Sequence, residues 1–159
     1  MKKINFLNGF VKILIIVFMI HFVTSIYLTF FAPDFINISD EFHKNSIFGY
    51  YTQFMTLTFS IITFIGLIFI QRGLGITIKN GFFNKGSGLK FKTAGKLFLI
   101  SGVLSLIFDL MIAYQSENIV LFGNLGLNLL LMIVGFSLHI ISDIIQNGSL
   151  IKQENDLTI

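Results

Sequence analysis

Five side chains fall inside long apolar runs, where polar chemistry is costly to place: His21, Asp109, Asn124, Asn128 and His139. A carboxyl or imidazole at such a position marks a functional site by default. At 1.5 Å per residue, Asp109 in the third run and Asn128 in the fourth reach similar depths, close enough to hydrogen-bond across two helices. Asn124, Gln53 and Thr56 enter from the same side. Together these five predict a polar pocket, open toward the outer face, for a small apolar or amphiphilic ligand. The competing reading is a hydrogen-bonded Asp109–Asn128 pair that only locks helix register. His21 lies near the middle of the first run, and His139 has Asp143 four residues on, a spacing that lets a carboxylate hold one imidazole nitrogen. Haem held between His21 and His139 is the alternative, since their depths differ by about one helical turn. Two single histidines with no attachment motif and no Cys favour plain imidazoles bonded to Ser or Thr, so no cofactor and no metal are expected.

Enzyme signatures are missing. The sequence has no H-E-x-x-H, no G-x-S-x-G and no Walker-type loop, and no two carboxylates stand at catalytic spacing. The absence of Cys excludes thiolate chemistry and disulfides. No catalytic residue can be assigned, and the expectation is a non-enzymatic protein. A transporter or channel subunit is a further alternative, although internal repeats and broken helices are not visible. A homo-oligomer could complete a pathway.

The elements that position these residues are spans. Of 159 residues, 54% are hydrophobic and only 12% are charged, too few to coat a soluble globule. Crossing the hydrocarbon takes about 20 mostly apolar residues. Four stretches qualify, at about 11–31, 51–70, 97–114 and 121–145, and leave no soluble domain. The expectation is an all-α integral membrane bundle of four transmembrane helices forming one domain over 1–159, with a tail at 146–159. The first stretch outruns a signal-peptide core and is read as an uncleaved helix. Lys2, Lys3, Lys12, Arg72, Lys79, Lys85, Lys90, Lys92, Lys96 and Lys152 would share one side, leaving Lys44 on the other. The positive-inside rule then places both termini and the middle loop in the cytoplasm. The net charge of +3 is therefore a topology signal rather than a nucleic-acid footprint. The bilayer is the first partner, and the setting is the bacterial inner membrane.

Wound at about 100° per residue, each span shows one small-and-polar seam. Span one has His21, Thr24 and Ser25. Span two has Gln53, Thr56, Ser60 and Thr63. Span three has Ser101, Gly102, Ser105 and Asp109. Span four has Asn124, Asn128, Gly135, His139, Ser142 and Gln146. Such seams are the usual glue between membrane helices, so all four are expected to face inward. In the middle loop, ITIKNGFF is expected along the membrane surface with Phe82 and Phe83 dipping in, and NKGSG as a turn. In the tail, Asn147–Gly148 reads as a helix stop, followed by a free segment in which Glu154, Asn155, Asp156, Leu157 and Ile159 could dock a partner.

The four-span order, the NGFF loop with its GLKFK lead-in and the closing ENDLTI resemble a bacterial membrane family, the domain of unknown function number twenty-nine seventy-five. The resemblance covers nearly the whole chain, and its specific part is the NGFF loop and the ENDLTI ending. In that family an Ala- and Leu-rich helix runs into the tail, where this sequence has Asn147-Gly148-Ser149. Members are often encoded beside a small helix-turn-helix regulator of the Cro/C1 type. The resemblance therefore implies a sensor or regulatory partner of a cytoplasmic helix-turn-helix protein, and it supplies no catalytic residues.

Overall fold

The computed structural model describes residues 2–31, 49–116 and 122–157. They form four helices: α1 (Lys2–Phe31), α2 (Gly49–Asn80), α3 (Lys85–Ser116) and α4 (Phe122–Leu157). The outer loop with Asp34, Asp40, Glu41, His43 and Lys44, and the turn with Glu117, lie outside the described residues. Each helix contains a stretch long and apolar enough to cross a membrane. At 30, 32, 32 and 36 residues they run about 45–54 Å, against a hydrocarbon core of about 30 Å. Every helix therefore outruns the apolar span read from the sequence.

The excess decides what becomes of the middle loop and the tail. Residues expected along the membrane surface instead extend α2 to Asn80, and only residues 81–84 turn. Gly81 takes φ +88°, the left-handed conformation that ends a helix, and its N–H donates to the Thr77 carbonyl at 3.0 Å. Asn84 then caps α3: its Oδ1 accepts from the Gly86 N–H at 2.8 Å, and its carbonyl accepts from Ser87 and Gly88. NKGSG, expected as a turn, is thus a cap and a first helical turn. Phe82 and Phe83 meet edge-to-face at 5.4 Å and stay about half exposed at the tip.

The expected break at Asn147–Gly148 is also overturned, because α4 continues through both residues to Leu157. Gly148 is where the Phe83 ring lies, in the space a Cβ would fill. The glycine serves close packing, and neighbouring helical turns keep its backbone bonded.

Packing follows chain order. Cα atoms approach within 8 Å between α1 and α2, α2 and α3, and α3 and α4, and between no other pair among the described residues. α3 is the centre. Toward α2 it sends Phe91 and Phe98, both nearly fully buried, into notches at Gly73 and Gly66. Toward α4 it turns Gly88, Gly95 and Gly102, one every seven residues. A Cβ on Gly95 would sit 2.7 Å from the Gly135 carbonyl, and one on Gly135 would sit 2.9 Å from the Gly95 carbonyl. Lipid gives no hydrophobic drive for helices to associate, so this small-residue approach supplies van der Waals contact instead. Val11, Leu74, Phe91 and Ile145 form a buried apolar cluster near the Gly81 turn with one residue from each helix. Large apolar side chains elsewhere face outward, among them Phe6, Ile20, Ile133 and Ile140.

The inward seam expected for α1 is corrected. Its less exposed residues are Ile4, Asn8, Val11, Ile15, Phe18, Phe22, Ser25 and Ile26. As far as Ser25 they advance in alternating steps of four and three, the seam of a helix laid along one neighbour. Phe18 stacks on Phe64 of α2 at 6.1 Å. His21 and Thr24 fall off this stripe and are exposed; only Ser25 of the expected set lies on it. The single partner decides the outcome, since α1 needs one narrow face and aliphatic and aromatic residues fill it.

Gly95→Val should overpack the α3–α4 contact and cost about 1–3 kcal/mol. Gly126→Ala, whose Cβ meets nothing within 4 Å, should be neutral or stabilise by up to about 1 kcal/mol. Reversible unfolding in mixed micelles titrated with a denaturing detergent checks both; equal effects would refute the close-approach account.

Candidate functional site

The α3–α4 register that apposes Gly95 and Gly135 carries on away from the Gly81 turn, where Gly102 meets the Asn128 carbonyl. One further step brings Asp109 level with the next turn. There Asn128 Nδ2 donates to Asp109 Oδ2 at 2.6 Å, and both residues are half-buried. The pair that depth alone placed together is in hydrogen-bond contact. Of the other three residues of the expected pocket, only Thr56 has a described side chain. Thr56 is exposed on α2, and α2 makes no close approach to α4. The side chains of Gln53 and Asn124 lie outside the described residues.

The histidines are apart. His21 is exposed on α1, edge-on to Phe18 at 6.2 Å. His139 rests on α3 against Gly95, and no Cα atoms of α1 and α4 approach within 8 Å among the described residues. Asp143, expected to hold His139, instead faces Lys92 across the helix pair at 3.6 Å, with 62% of its side chain exposed. Asp143 sits off the α4 seam, and the nearest cation on α3 captures it. Among the described residues no group of three His, Asp or Glu is placed to hold a metal ion.

The remaining seam residues join helices. Thr63 Oγ1 and Ser101 Oγ are 2.8 Å apart, and both lie 3.1 Å from the Phe59 carbonyl. Each hydroxyl has one proton, so one donates to the carbonyl and the other to its fellow hydroxyl. Ser142 Oγ donates to the Gly88 carbonyl at 2.8 Å and accepts from Gln146 Nε2 at 2.8 Å. Ser60 and Ser105 are half-buried. At the far end of α4, Glu154, Asn155 and Leu157 are exposed, while the side chain of Asp156 and all of Ile159 lie outside the described residues.

Antiparallel neighbours bring every described Lys and Arg to the Gly81 end. At this basic end, opposite Asp109, a cavity of about 530 Å³ opens between α1, α2 and α3. Its polar lining was not singled out from sequence. Asn8 and Gln71 are the signal available there: amides near the ends of apolar runs, on faces that a single neighbour covers. Compared with known proteins, the chain matches no family model, no curated protein and no solved structure.

A double-mutant cycle over Asp109→Ala and Asn128→Ala, read by the same unfolding assay, should give a coupling of about 0.6 kcal/mol and no more than ~2 kcal/mol. Zero coupling would show that the pair does not hold α3 to α4.

Proposed function

We propose that this chain is a multi-pass protein of the bacterial cytoplasmic membrane, with both termini inside, and that it acts as a non-enzymatic sensor or regulatory partner of a cytoplasmic protein. The orientation is supported by the charge: the cations gather at the end that carries the α2–α3 turn and the C-terminal end of α4.

One observation carries the regulatory reading. α4 has 36 residues without a break, and the membrane needs about 20 of them. The surplus is a helical arm, tied down where Phe83 meets Gly148 and exposing Leu150, Ile151 and Leu157. Its final turn holds the Glu154–Leu157 segment expected to dock a partner. A small apolar or amphiphilic ligand at Asp109 and Asn128 would act on the same α3–α4 contact from which the arm extends. A shift there would move the arm as one body. The helix-turn-helix identity of the partner rests on the sequence resemblance, and a homo-oligomer remains compatible with the exposed faces of α1 and α4.

Native mass spectrometry of the tagged protein, gently extracted from its own host, should show a co-purifying small DNA-binding protein. Deleting Glu154–Ile159 should release that protein without unfolding the helices, whereas retained binding would move docking to the α2–α3 turn. Asp109→Asn keeps an acceptor for Asn128 and should leave insertion intact while abolishing the response; an unchanged response removes Asp109 from the mechanism.

A further inference from the structure

We propose that the cavity at the basic end is a binding site for a phosphate-bearing anion. Lys12 of α1, Arg72 and Lys79 of α2 and Lys90 of α3 line it, with the amides of Asn8 and Gln71, and no carboxylate does. Topology asks only that cations lie beyond the spans on one side. It does not ask that cations from three helices converge on one cavity, where they repel each other until an anion separates them.

The arrangement suits phosphate. Arg72 and Lys79 are seven residues apart on one helix, about 10 Å along its axis. The α2–α3 register, with Phe91 at Gly73 and Phe98 at Gly66, sets Lys90 level with Leu74, between them. The Lys90 ammonium stands 5.3 Å over the Phe69 ring, which holds a long side chain in place without neutralising it. Lys92, two residues on and on the opposite side of α3 from Lys90, is already paired with Asp143. An arginine fork and flanking ammonium groups are the donors that phosphate oxygens take. Asn8 supplies the complementary need. Its Oδ1 is shielded from solvent and has no hydrogen-bond partner among the described residues. A hydroxyl beside the phosphate would satisfy it. The shared ligand chemistry is therefore a phosphate with a neighbouring hydroxyl, supplied either by an anionic lipid headgroup or by a free phosphate compound.

The test uses the full chain in neutral detergent, with phosphatidylglycerol followed by native mass spectrometry and inorganic phosphate by calorimetry. The expected result is saturable binding of one anion per chain. Arg72→Gln with Lys79→Gln should weaken it about tenfold. Gly75→Glu, which puts a carboxylate into the cavity where a Cβ meets nothing within 4 Å, should weaken it at least as much while leaving the helices folded. Lys85→Gln with Lys96→Gln removes the same charge outside the cavity and should leave binding unchanged. Phosphatidylglycerol binding that inorganic phosphate does not displace assigns the site to a lipid headgroup; displacement, or binding of inorganic phosphate alone, assigns it to free phosphate compounds. Equal weakening by the Lys85 and Lys96 substitutions, or no saturable binding of either probe, would overturn the proposal.

Discussion

The approach of Gly95 to Gly135 is the constraint on which the rest of this structure depends. With a Cβ on either residue, α3 and α4 could not keep their present distance. At that distance Ser142 reaches the Gly88 carbonyl, and Asn128 reaches Asp109. Both bonds are consequences of backbone proximity rather than its cause, because a membrane hydrogen bond contributes only about 0.6 kcal/mol on average. The opposite face of α3 works by inverted logic. There the large residues, Phe91 and Phe98, belong to α3 and the notches to α2. One helix thus offers holes to one neighbour and knobs to the other, which fixes it between them.

The four helices were legible because length and apolarity suffice to identify a span. The α4 seam was legible too: Asn128, Gly135, His139, Ser142 and Gln146 all lie against α3 or bond within that interface. Polar residues are rare enough in α4 for their spacing to point in one direction. α1 resisted the same reading. Nearly every position is apolar, so the stripe from Ile4 to Phe22 is invisible against its background, and the few polar residues mislead. His21 and Thr24 mark the face that α1 leaves uncovered.

The turn and the tail failed for a different reason. Glycine and asparagine were read as punctuation. At Gly81 and Asn84 that reading names the right chemistry, a left-handed end and an N-cap. At Gly148 the same residue type answers to a ring from elsewhere in the chain. A helix-ending glycine and a close-packing glycine cannot be told apart without the partner. The basic cavity has the same origin. Lys12, Arg72, Lys79 and Lys90 are distant in sequence, and only the registers of three helices bring them to one place.

Each helix lies against the one made just before it, and among the described residues neither α3 nor α4 brings a Cα atom within 8 Å of α1. The close backbone approaches among the described residues thus follow chain order, and such local pairing favours fast assembly. As it leaves the ribosome, α2 can settle on α1, α3 on α2 and α4 on α3, each step completing the surface the next one needs. Biogenesis in the bilayer can then proceed in the direction of synthesis, with the arm of α4 set in place last.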